Sequence, residues 1–193
     1  MTLTNERGFT LAELLVVVAL LGLIMAGVVT LQQQGQQAYL MGAARVDAQQ
    51  NARVALTLMS RELRGACTLS SLSSSAATIT AADPSGTGDC TGSTVAIRYA
   101  LSGSSLYRDQ ATTVGGLPAV GAGTVLIGGV NTLTLSGYDL VGATTTGVGA
   151  ACATSVVCSI DIKLQTTQEQ GVASYSPANV QTTVEDQVRF RNI

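Results

Sequence analysis

The chain has 193 residues, of which 10 are basic, 12 acidic and none histidine, for a formal net charge of −2. Hydrophobic residues make up 46% but aromatic ones only 4%, so the apolar content is mostly alanine, valine and leucine and suits one modest globular core beyond any membrane helix. Without histidine there is no Ser-His or Cys-His nucleophile pair, and the charge balance gives no case for strong nucleic-acid binding.

Residues 1–8 are polar and only mildly basic. Gly8-Phe9-Thr10-Leu11-Ala12-Glu13 follows, and then Leu14–Leu31, 18 residues without a charge. At about 1.5 Å per helical residue this run covers most of a bilayer core of roughly 30 Å, and it reads as a membrane helix over about residues 9–31. Glu13 stands at the edge of the run, where burial in hydrocarbon costs on the order of 2.5 to 3.5 kcal/mol or more, so it needs a partner. A secretory signal is cut after its apolar stretch and starts with a positively charged region; this leader does not fit that plan. An uncleaved anchor with an incidental edge carboxylate is the other simple alternative.

The six residues from Gly8 to Glu13, followed by a long aliphatic helix, resemble the processing signature of type IV prepilins and of the pseudopilins of type II secretion. The resemblance implies cleavage between Gly8 and Phe9 by a prepilin peptidase, N-methylation of Phe9, and a role for Glu13 in subunit register. Physically, such a cut leaves an ammonium at Phe9 and a carboxylate about one turn away. The amine of one subunit can satisfy Glu13 of the next, and in low dielectric that pairing is strongly register-setting.

The first proline is Pro84, so the helix is predicted to run from Thr10 to about Gly65, roughly 55 residues or about 80 Å. Gly22, Gly27 and Thr30 occupy the region where major pilins usually carry a proline, and Gly27 is the expected point of any local melting, since glycine weakens a helix by about 1 kcal/mol relative to alanine. Gln32–Gln37 reads as a solvated helix surface. Further on, Val54, Ala55, Leu58, Met59 and Leu63 are expected on one apolar face that packs on a sheet, interrupted only by Glu62. Arg53, Arg61 and Arg64 fall opposite, as a solvated face that complements the helix C-terminus, with a subunit contact as the alternative. The stretch Ala52–Leu56 with Met59–Arg64 resembles a segment of PilW-like minor pilins and of J-type minor pseudopilins.

Beyond Gly65 the sequence turns to serine, threonine, glycine and β-branched residues. Leu69–Ser75 reads as a serine-rich loop, Ala77–Ala81 as a strand, and 82–92 as a loop holding Pro84, Gly86 and Gly88. Thr94–Leu101 alternates as a half-buried strand, with Ser105–Arg108 pairing back around Ser102-Gly103-Ser104. Thr124–Ile127, Val130–Leu135 and Ser159–Thr166 are further strands, with an exposed loop over Gly142–Ser155. The ending puts Val184, Val188 and Phe190 in phase, broken by Asp186, as a last strand; Val188–Asn192 resembles the tail of the same minor subunits.

Cys67, Cys90, Cys152 and Cys158 all lie in the part expected outside the cytoplasm. An even count there reads as disulfides with three possible connectivities, of which proximity favours Cys67–Cys90 and Cys152–Cys158. Neither spacing is that of a zinc site, no metal or cofactor is expected, and turn chemistry accounts for Asp83 and Asp89 better than calcium does.

The expected architecture is α+β and type IV pilin-like: a leader over 1–8, a long helix over 9–66, and an antiparallel β-rich head over 67–193. The implied function is structural rather than enzymatic, that of a minor pilin that initiates or caps a filament, or of a type II secretion pseudopilin. The implied partners are other pilin or pseudopilin subunits, prepilin peptidase, an inner-membrane assembly platform and, before assembly, membrane lipid. The implied location is the inner membrane with an extracytoplasmic head. A membrane-tethered binding module is the rival, and it would not depend on Glu13.

Overall fold

The structure, a computed structural model, describes residues 9–85, 89–167 and 181–192. The expected leader, with Gly8, lies outside these residues, as do Gly86 and Gly88. Two compact units divide the chain, one up to Ala44 and the other from Arg45 onward.

A single helix, α1 (Leu11–Arg64), accounts for 54 residues. No proline interrupts it, and it stays helical through Gly22 and Gly27. In the first unit, every large hydrophobic residue from Phe9 to Leu31 is at least 50% exposed. The stretch Leu11–Leu40 is long and apolar enough to cross a membrane, and none of its most apolar window is buried. A helix apolar on all sides requires a nonaqueous surround. Thr30, the polar residue of that run, donates its hydroxyl to the Ala26 carbonyl at 2.8 Å, so its hydrogen bond is satisfied within the helix.

In the second unit, the last turns of α1 pack on two antiparallel sheets. The first has strands β1 (Ala66–Leu72), β2 (Ala76–Ala82), β3 (Thr94–Ser102), β4 (Ser105–Ala111) and β5 (Thr124–Gly128), in sequential order. The second has β6 (Val130–Tyr138), β7 (Ser159–Thr166) and β8 (Thr183–Arg189), also in order. The predicted strands are therefore present, but in two sheets, and the tail returns to the second. The two are stitched where hairpin turns of the first meet β6: Leu135 and Val130 donate backbone N–H groups to the carbonyls of Ser74 and Ser104.

One continuous core joins Ala52, Ala55, Leu56, Met59 and Leu63 of α1 to Leu69, Ile79, Ile97, Tyr99 and Leu106 of the first sheet and to Leu133, Ile160, Leu164 and Val188 of the second. The buried helix face is thus rotated from the one expected: Ala52 and Leu56 replace Val54, which is 68% exposed, and Leu58 is only half-buried. Alanines at 52 and 55 let the helix approach the sheets closely, whereas the sequence pattern weights larger side chains. The expected loop over Leu69–Ser75 is also corrected, since β1 continues to Leu72 and only Ser73–Ser75 turn. Two register irregularities in β1 break its alternation and hide it from a period-of-two reading.

The two acidic residues that break apolar patterns turn out to be partnered. Glu62 accepts from the Tyr99 hydroxyl at 2.5 Å and from Arg108 Nε and Nη2 at 3.0 and 2.8 Å, which ties α1 to β3 and β4. Burial of Tyr99, with the Glu62 carboxylate beside it, drives the phenol far above its ordinary pKa. Asp186, in register with buried Ile162, accepts the Ser60 hydroxyl at 2.5 Å and ties α1 to β8. A third pair, Arg98 Nε and Nη2 on Asp109 Oδ2 at 3.0 and 2.6 Å, joins β3 to β4, and Arg98 also holds the Pro118 carbonyl of the following loop.

Disulfides join Cys67 to Cys90 and Cys152 to Cys158. Asp83 and Asp89 each accept hydrogen bonds from groups two or three residues on, as turn residues do. The Gly142–Ser155 segment is more structured than expected. Asp139 Oδ2 accepts from the Ser155 N–H at 3.1 Å and Oδ1 from those of Ala143 and Val141 at 2.9 and 3.0 Å, while Leu69 donates to the Gly149 carbonyl.

Two outcomes follow for stability. Met59→Ala should cost about 2–5 kcal/mol in denaturant unfolding, whereas Val54→Ala should stay within about 0.5 kcal/mol. The backbone donors of Ser155 and Ala143 hold the Asp139 carboxyl below the usual carboxylate range. Its contribution is therefore complete above the ordinary carboxylate pKa and is lost as pH falls through the lower folded value. Asp139→Asn should flatten the acid limb of a stability profile taken by thermal unfolding.

Candidate functional site

The best-supported functional group is the start of α1, where the residues singled out in the sequence come together. Leu11, Ala12 and Glu13 are its first three helical positions, with Thr10 just before them. The first helical N–H groups lack intrahelical acceptors, and this tetrad supplies two reciprocal bonds. The Thr10 Oγ1 accepts from the Glu13 N–H at 3.3 Å, and Glu13 Oε2 accepts from the Thr10 N–H at 3.5 Å. This is the capping-box geometry of a Thr-x-x-Glu sequence. The signal is local, because Thr10 and Glu13 have the required spacing, and it overlaps the start of the lipid-length run.

Glu13 consequently has two local reasons to sit where it does. It caps the first turn, and its negative charge complements the positive end of the helix dipole, an effect of roughly 0.3–1 kcal/mol. Neither saturates it. The bond to Thr10 is long, the carboxylate is exposed, and it forms no ion pair among the described residues. A carboxylate can accept about four hydrogen bonds, so it retains capacity for an external cation. Phe9, two residues before the first helical position, is 84% exposed. An exposed carboxylate at the start of an exposed apolar helix is suited to charge pairing and helix packing.

Two other segments singled out in the sequence meet in the head. The last turn of α1 and the tail, far apart in the chain, join where the Arg191 N–H donates to the Arg64 carbonyl at 3.1 Å and the Asn192 side-chain amide donates to the Gly65 carbonyl at 3.3 Å. With the Gly65 N–H on the Arg61 carbonyl, these bonds occupy carbonyls that a helix end leaves open. Sequence reasoning placed both segments but gave no sign of their contact. The roles of Glu62, Tyr99, Arg98 and Arg108 were likewise missed; a lone acid on an apolar helix face and arginines in half-buried strands were the available signals.

Thr10→Ala should remove about 1 kcal/mol of capping while Thr10→Ser preserves it. Amide exchange at residues 11–14 in detergent micelles should accelerate in the first variant only.

Residues 3–29 match the family described as the prokaryotic N-terminal methylation motif. No curated protein matches the chain. Among solved structures, the fold is similar to the type IV-like pilin TTHA1219 from Thermus thermophilus, with a TM-score of 0.53 and 15% sequence identity over 74% of this chain and 96% of that one. At that identity the likeness speaks for the fold, while the matched motif speaks for the N-terminus. The chain thus joins an apolar α1 of membrane length and an antiparallel β head in a type IV pilin-like fold, and its N-terminus carries the prokaryotic N-terminal methylation motif across Gly8 to Glu13.

Proposed function

We propose that the chain is a structural subunit of a type IV pilus-like filament. It is cut between Gly8 and Phe9 by a prepilin peptidase and methylated at Phe9. The observation that carries this reading is the exposed Glu13 carboxylate in the first turn of a helix that bears no other charge before Arg45. In lipid that carboxylate has only the long Thr10 bond. In a filament it gains the new ammonium of a neighbouring Phe9, and the ion pair fixes one register among the many that aliphatic packing allows.

Before assembly α1 anchors the chain in the cytoplasmic membrane with the head outside, a placement supported by two disulfides in the head. The subunit would then engage an inner-membrane assembly platform. A minor role, in initiating or capping the filament, is supported by the resemblance of Ala52–Arg64 and of the tail to PilW-like pilins. The same residues support a J-type pseudopilin of a type II secretion system, whose assembly signature is shared.

Intact mass and N-terminal sequencing of the protein from a native membrane or sheared-filament fraction test this reading. An N-methylated Phe9 start, low abundance in filaments, and loss of filament recovery on Glu13→Ala are expected. A chain starting at Met1, or cut after the apolar run, would sink it; an unaffected Glu13→Ala would favour a tethered binding module.

A further inference from the structure

The junction of the α1 C-terminus and the tail gathers more positive charge than the fold uses. Arg61, Arg64 and Arg191 line one cavity of about 540 Å³, together with Ser60 and Asp186. All three arginines are exposed, and among the described residues none has an ion pair or a side-chain hydrogen bond. The helix dipole explains a cation or two in the last turn of α1. It does not explain Arg191, which comes from the tail and is set beside the helix end by its own backbone bond to the Arg64 carbonyl. The Arg61, Arg64 and Gly65 carbonyls take backbone and amide donors, and none of the three guanidinium groups donates to the helix end among the described residues. The one carboxylate in the cavity, Asp186, already accepts the Ser60 hydroxyl.

We propose that this cavity is a docking site for an acidic polypeptide segment, presenting two or more carboxylates, on an adjacent subunit. The identity of the occupant as a subunit rests on the filament reading; the site itself does not. Charge complementarity selects an anion. The lining then selects its kind: three guanidinium groups from two separate segments suit carboxylates spaced along a peptide, and the Asp186 carboxylate in the same lining disfavours a compact dianion such as phosphate. Guanidinium groups take carboxylates in bidentate fashion, which makes such a contact geometrically specific as well as attractive. Because the pairs are exposed to solvent, they weaken with salt and contribute selectivity and association rate more than affinity.

The full chain in neutral detergent micelles, titrated at low ionic strength with fluorescein-labelled hexaglutamate and followed by anisotropy, tests the site. Saturable binding is expected, weakened about tenfold or more in R61Q/R64Q/R191Q and unchanged in R53Q, with hexaglutamine not bound. The single variant R191Q, which keeps the backbone bond to Arg64, should lie between, and guards against misfolding of the triple variant. Binding by a folded triple variant equal to that of the unsubstituted chain overturns the proposal. So does absence of hexaglutamate binding, or its stoichiometric displacement by inorganic phosphate at matched ionic strength. These readouts do not depend on where the chain is cut, so failure of the filament reading is seen separately.

Discussion

An apolar helix exposed on all sides cannot persist in water, and that constraint governs the first unit. Each exposed valine, leucine, isoleucine or methionine from Leu14 to Leu31 forgoes about 1.5–3 kcal/mol of burial, and the run contains no charged side to turn outward. The helix must therefore reside in lipid or against other helices. Between those two surrounds hydrophobicity is nearly indifferent, because lipid tails are as apolar as leucine. The choice falls to packing and to whatever polar group the helix carries. Glu13 is that group, and Thr10 gives it one weak bond in the isolated chain.

The head meets a different demand, that of holding a helix to two sheets with few aromatic residues. Apolar contact through Ala52, Ala55, Met59 and Leu63 supplies the close approach, and two polar ties fix the rotation of the helix: Glu62 to Tyr99 and Arg108 on one sheet, and Ser60 to Asp186 on the other. Partly buried polar groups of this kind add less stability than their bond count suggests, but a wrong rotation would leave Glu62 and Asp186 without partners. They act as specificity devices in an alanine-rich interface that would otherwise tolerate sliding.

Much of this could be read from the residues. The extent of α1 followed from the absence of proline before Pro84, and the strands at Thr94 and Ser159 from clean alternation. What was not legible shares a cause: it depends on contacts between distant segments. The rotation of the buried face away from Val54 depends on how closely Ala52 and Ala55 meet the sheets. The split into two sheets depends on hairpin turns at Ser74 and Ser104 meeting β6, which no local pattern records. Strand β1 was hidden by its bulges and by serines that look like loop. The N-terminal capping box was local and legible, since Thr10 and Glu13 carry the needed spacing.

The two ends of α1 obey one electrostatic rule with different consequences. An acid stands in the first turn and arginines in the last, as the macrodipole favours. At neither end is the charge consumed by an ion pair. Main-chain groups and short polar side chains do the capping: Thr10 at the start, Arg191 N–H and Asn192 at the finish. Arg61 and Arg64 are thereby left without a capping task, and Glu13, which shares the capping box with Thr10 through one long bond, keeps acceptor capacity for a group outside the chain. Charges committed to holding the helix ends could not also recognise a partner, so this division of labour is what the proposed filament role would require.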